Sequence, residues 1–125
     1  MSIEQTLDAF GEQLGISGLR FDAAGAATLK TASGRLLAVE RGDEEVLVYV
    51  AQPLGYDAAT LLQQAFKHAH FSRHGDTPVQ VATRDERGER SLIGLVRIAE
   101  RDLTVLRLQQ TVDTLSRWHA TLQDA

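Results

Sequence analysis

The stretch Val46-Leu47-Val48-Tyr49-Val50-Ala51 is apolar in both of its alternation phases. A strand turns successive side chains to opposite faces of its sheet, so a strand covered on one side alternates apolar and polar. This one does not alternate. If Val46, Val48 and Val50 face a layer of helices, then Leu47, Tyr49 and Ala51 face something else: a second layer, a second copy of the chain, or a bound partner.

Working outward from this strand gives the architecture. Upstream, Gly42-Asp43 separates it from Leu36 to Arg41, and Ser33-Gly34 separates that run from Ala27 to Ala32. Turns this short between β-prone runs make antiparallel hairpins, so the region predicts a three-stranded meander. Downstream, Pro53 and Gly55 end the third strand. Asp57 is positioned to cap a helix running to about Phe71. Leu61, Ala65 and His68 fall on one side of that helix and Leu62, Phe66 and Ala69 on another, wider than one core stripe needs. Gly75 and Pro78 break the chain before a fourth strand from Val79 to Arg84. Asp85-Glu86-Arg87-Gly88 reads as a charged hairpin loop into a fifth strand, Ser91 to Ile98, again apolar in both phases.

The flanks are helical. Ser2 with Gln5 three positions later forms a capping box. Ile3, Leu7, Phe10 and Leu14 then make one apolar stripe. Gly15 can supply the left-handed residue that ends this helix, and Ile16, Leu19 and Phe21 follow in an extended connector. The last helix begins near Asp102 or Thr104. Val105, Leu108, Val112, Leu115, His119 and Leu122 form its stripe, with Trp118 beside them at the core or its margin. The order helix, three strands, helix, two strands, helix (α-β-β-β-α-β-β-α) predicts an α+β domain spanning 1–125, with a twisted antiparallel five-stranded sheet and three helices. Three helices of modest length cannot cover both faces of such a sheet. Self-association or partner binding is therefore expected to use what remains.

Composition narrows the function. The chain has 125 residues and a formal net charge of −4, which argues against nucleic acid as a partner, since phosphate binding needs a basic surface. No apolar run is long enough to insert in a membrane, and the N-terminus lacks a basic region followed by an apolar run, so the expected location is a cytoplasm. There is no cysteine, hence no disulfide framework and no thiolate chemistry. Asparagine is absent, and Lys30 and Lys67 are the only lysines against a larger set of arginines, a pattern of GC-rich bacterial genomes.

No residue constellation carries catalysis convincingly. His68, His70 and His74 are close in sequence, and an i, i+4 pair can share a metal. However, His68 and His70 point roughly 200° apart on a helix, and no carboxylate at a matching offset completes a site. The helix dipole also accounts for cationic residues such as Lys67 and His68 at a helix C-terminus. Ser72, His74 and Asp76 have the residue types of a triad, but two apart in a loop they do not reach its geometry. Most carboxylates, including Asp43, Glu44, Glu45, Asp85, Glu86 and Glu89, fall in predicted turns as solvated charge. Gly15 and Gly18 follow no strand and match no phosphate-binding pattern. The expectation is no enzyme, no metal and no cofactor. The rival readings are a small histidine-centred metal-binding protein and a dimeric regulatory module without cargo.

Nearly the whole chain resembles the class I chaperones of bacterial type III secretion, the CesT/SycE-like group. The stretches that carry the likeness are Leu14-Gly15-Ile16-Ser17-Gly18-Leu19-Arg20-Phe21-Asp22 after the first helix, Gly25-Ala26-Ala27-Thr28-Leu29, the meander, Leu61-Leu62-Gln63-Gln64-Ala65-Phe66, and the long helix after Ala99-Glu100-Arg101-Asp102-Leu103-Thr104. The resemblance implies a homodimer without enzymatic activity that holds the N-terminal segment of a secreted effector in extended form and helps deliver it to the secretion apparatus, with the secretion ATPase as a candidate partner. It implies Leu61, Leu62, Ala65, Phe66 and Ala69 for the dimer interface. For the effector it implies Phe10, Leu14, Ile16, Leu19, Phe21, Leu29 and Leu36.

Overall fold

A computed structural model describes residues 2–31, 34–54, 58–71, 79–86 and 88–123. The element order is α1 (Ile3–Gln13), β1 (Ala26–Lys30), β2 (Leu36–Arg41), β3 (Glu45–Pro53), α2 (Ala58–Phe71), β4 (Gln80–Glu86), β5 (Glu89–Ala99), a 3-10 turn (Glu100–Asp102) and α3 (Val105–Gln123). The five strands form one antiparallel sheet in the order β1-β2-β3-β5-β4. The α+β class and the element order are as the sequence predicts.

The register separates the two phases of β3. Val48 lies opposite Val39 and Val96, and Val46 lies opposite Arg41 and Ile98. Val46, Val48 and Val50 are buried in one core with Leu37, Leu92, Val96 and Ile98, together with Ile3, Leu7 and Phe10 of α1, Ala65 of α2, and Leu108, Leu115 and Trp118 of α3. The three helices thus cover one face. α3 lies across β3 and β5, with α1 and α2 packed against it.

The other phase forms a separate, smaller cluster of strand residues alone: Ala38, Tyr49 and Ile93, flanked by Ala51 and Leu95. No described helix lies over it. Among the described residues, Ala51 and Leu95 of the same sheet pack against this cluster. The Arg84 guanidinium sits 5.4 Å from the centre of the Tyr49 ring and donates to its hydroxyl at 3.3 Å. Burial raises the Tyr49 pKa, partly opposed by Arg84.

Element ends show where local chemistry decides. Ser2 Oγ accepts from the Gln5 amide at 3.1 Å and Gln5 Oε1 accepts from the Ser2 amide at 2.9 Å, which completes the capping box. The β4–β5 hairpin runs further than the charge pattern suggests. Asp85 pairs with Arg90 and Glu86 with Glu89, so the first half of the expected loop is strand. The Asp85–Arg90 ion pair, at 2.8 Å, spans the ladder there, and that arginine holds the Asp85 carboxyl below the usual carboxylate range. Strand β1 runs from Ala26 to Lys30, and the Thr31 carbonyl accepts from the Gly34 amide; the expected strand end at Ala32 lies outside the described residues. The left-handed residue of the β2–β3 turn is Glu44, at φ 58, not Gly42 or Asp43.

The seat of α3 on the sheet depends on two residues. Gly94 of β5 has no side chain, and a Cβ there would stand 2.7 Å from the Trp118 ring. Trp118 is therefore pressed against bare backbone and is buried, as is His119 beside it. His119 Nε2 lies 2.8 Å from the Val50 carbonyl, and Nδ1 lies 2.7 Å from the Gln52 side-chain oxygen. A carbonyl only accepts, so Nε2 carries the proton. A neutral ring then accepts at Nδ1, for which the Gln52 amide presents its NH2 by a half-turn. Burial, with a smaller push from Arg35, lowers the His119 pKa to about 4.

Candidate functional site

A concavity of about 640 Å³ runs beside α1. Three segments build it. The capped helix α1 forms one wall and turns Glu4, Asp8 and Glu12 toward the groove, at i, i+4 and i+8. The connector forms the other wall with Gly18 to Phe21, and Arg41 at the end of β2 closes one end.

The connector is held close to α1 by a residue the apolar pattern passes over. Gly11 lies on the buried side of α1, where a Cβ would come within 2.7 Å of Leu19 Cβ and 3.2 Å of the Ile16 carbonyl. The Ile16 amide also donates to the Gly11 carbonyl at 2.8 Å. Gly15 is left-handed, as expected for the helix end. At the far end of the connector, Asp22 Oδ1 accepts from the amides of Ala24 and Ala26 at 2.8 and 3.0 Å, which turns the chain into β1.

Arg41 links the walls. Its guanidinium pairs with the Glu4 carboxylate and lies 5.5 Å from the centre of the Phe21 ring. Hydrogen bonding to the helix-end backbone, then Arg41, holds the Glu4 carboxyl below its ordinary range. The groove thus combines a partly exposed aromatic, a buried leucine and a set of charges, with no nucleophile or base in a catalytic arrangement.

The residues singled out for effector binding separate in space. Leu19 and Phe21 line the groove. Ile16 and Leu29 are half-buried and pack on the main core. Leu14 is exposed just past the end of α1. Phe10 has no exposed surface and belongs to the core. Leu36 is on the opposite face of the sheet, beside Tyr49 and Ala51, and does not join the groove. The acidic ridge of α1 and the role of Arg41 escape a search for apolar stripes, although the spacing of Glu4, Asp8 and Glu12 is plain in the sequence.

On α2, Ala65 is fully buried in the core and Leu62 packs against it from a half-exposed position. The side chains of Leu61, Phe66 and Ala69 lie outside the described residues, as do those of His68 and His70 and all of Asp57, Ser72, His74 and Asp76. Among the described residues, no three His, Asp or Glu side chains converge as a metal site. No described helix is long and apolar enough to cross a membrane.

The fold is shared with solved type III secretion chaperones. The chain is similar to a chain in the structure of the HopA1–SchA chaperone–effector complex, with a TM-score of 0.72 and 18% identity over 97% of this chain and 92% of that one. It is also similar to the Yersinia pestis type III secretion chaperone SycH in complex with a fragment of YscM2, with a TM-score of 0.68 and 12% identity over 95% and 98% of the two chains. The Escherichia coli protein YbjN, a candidate transcription regulator, is similar at a TM-score of 0.62 and 15% identity over 94% of this chain and 86% of that one. No family model matches the chain, and no curated protein matches its sequence.

Proposed function

We propose that the chain is a cytoplasmic, non-enzymatic chaperone of bacterial type III secretion. It binds the extended N-terminal segment of an effector in the groove beside α1, keeps it competent for secretion, and aids its delivery to the secretion apparatus, where the ATPase is a candidate recipient. The observation that carries this reading is the groove itself: Leu19 and Phe21 on a wall next to α1, in the fold of chaperones seen with effectors. Fold alone does not decide function, as the likeness to YbjN makes plain. A groove suited to an extended apolar segment, with no catalytic set among its described residues, supports the reading.

An extended segment gains main-chain hydrogen bonds at a sheet edge and sets alternate side chains in pockets. Ordering it costs entropy, which keeps the complex releasable. A homodimer presents the groove twice, which raises avidity for a segment that reaches both. We assign the dimer to α2, on the apolar pattern of Leu61, Leu62, Phe66 and Ala69. Ala65 serves the core of its own protomer.

The test is calorimetry of the purified protein against effector segments encoded near it. A large negative heat-capacity change is expected, because apolar surface leaves water, and Phe21→Ser should weaken binding far more than Arg20→Ala. Absence of affinity for every such segment, together with turnover of a small molecule, would overturn the reading. Light scattering tests the dimer: a protein that stays monomeric at tens of micromolar, where an interface of roughly standard size associates, has no α2 interface.

A further inference from the structure

We propose that the segment received beside α1 is basic as well as apolar, with Lys or Arg side chains set against Asp8 and Glu12 while apolar anchors take the Leu19–Phe21 wall. This rests on the reading of the groove as the site of an extended segment, and adds what kind of segment it selects.

The charges on the two walls differ. Glu4, Asp8 and Glu12 form one ridge along the groove side of α1. Glu4 is already matched by Arg41. Asp8 and Glu12 form no ion pair with another described residue, unlike Glu4, Asp85 and Glu45. Arg20, on the connector wall, offsets part of this charge from the other side and leaves the acidic excess along the helix.

Folding does not account for that ridge. Like charges at i, i+4 on a helix are unfavourable. Glu12 is in the last turn of α1, where the helix dipole disfavours an anion, and no basic residue in that turn compensates. A cation arriving with the partner relieves both costs. An extended segment turns alternate side chains to opposite sides, so one lying between these walls satisfies both when apolar and basic residues alternate.

The test uses short fluorescein-labelled peptides with apolar residues at alternate positions and Lys, Gln or Glu between them, titrated against the full-length protein by fluorescence anisotropy. The Lys peptide should bind about five- to tenfold tighter than the Gln peptide at low salt, as two exposed ion pairs allow. The gap should close as salt rises. Asp8→Asn with Glu12→Gln should remove it, and Asp8→Lys with Glu12→Lys should reverse the order of the Lys and Glu peptides. Glu89→Gln with Asp113→Asn removes the same charge elsewhere and should leave the gap intact. A Lys preference that survives the Asp8 and Glu12 variants, or that the distant pair abolishes equally, overturns the inference. If all three peptides bind equally and Phe21→Ser weakens them all, the charge selection fails while the groove reading stands. If none binds, or Phe21→Ser changes nothing, the groove reading falls and the inference with it.

Discussion

Two regions of this molecule use the close approach that a glycine permits in opposite ways. Where α3 meets the sheet, Gly94 admits Trp118 so closely that no water-sized gap is needed, and His119 ties the helix to the Val50 carbonyl. Beside α1, Gly11 draws the connector in just as tightly, yet Phe21 is left half-buried at the mouth of a groove. Close backbone approach completes the core in the first region. In the second it fixes the wall of a groove whose apolar surface stays partly in water. Burial of the ring, rather than its presence, separates core packing from the wall of a groove.

The largest effect expected is at the sealed seat. Gly94→Ala puts a methyl group against the Trp118 ring and should cost about 1–3 kcal/mol, the range of overpacking in a tight core. Urea denaturation measures it. An unchanged midpoint would mean that the ring has room to move.

His119 probes the same seat through pH. Its pKa in the folded protein, about 4, lies below the ordinary value of 6.5, so the unfolded chain takes the proton first. Stability from this residue is complete above about pH 6.5 and is lost as pH falls from there toward 4, by at most about 3 kcal/mol. Denaturation curves between pH 7 and 5 should show this slope in the wild type and lose it in His119→Gln, although that variant is less stable at neutral pH. Equal slopes in the two proteins would show that His119 is not held neutral.

The groove should respond differently. Phe21→Ser removes a half-buried ring and its contact with Arg41, and should lower stability by about 1 kcal/mol or less. If instead it destabilises as much as Gly94→Ala, Phe21 is core and the contrast between the regions collapses. The smallest effect is at the β2–β3 turn, where Glu44→Gly relieves a left-handed backbone and should stabilise by about 0.5–1 kcal/mol. Thermal denaturation checks it, and a loss of stability would mean that the Glu44 side chain holds the turn.

Much of the architecture is legible in the sequence because it rests on periodicity. The two apolar phases of β3, the stripe of α1 and the capping box read directly. The charged hairpin is misread because Asp85 and Arg90 satisfy each other across a ladder, which no single-strand pattern reveals. The site is legible only in part. Leu19 and Phe21 stand out as apolar residues in a connector, but the same criterion also selects Phe10, which is core, and Leu36, which is on the other face. Hydrophobicity marks what leaves water on folding or on binding and does not distinguish the two. Gly11 and Gly94 carry no pattern, since their role is the space they leave for a partner distant in sequence.

The β3–β5 pairing has a consequence for how the chain reaches this structure. The two strands pair along the whole of β3, from Pro53 with Ser91 to Glu45 with Ala99, yet all of α2 and β4 lies between them in sequence. The centre of the sheet is thus its least local part. The β1–β2–β3 meander and the β4–β5 hairpin can each zip from a short turn, whereas joining them requires closing a long loop before any contact rewards it. Refolding should be limited by the docking of two preformed hairpin units. Substitutions at Val48 or Val96 should slow it more than equally destabilising ones at Ala27 or Leu29 on the edge.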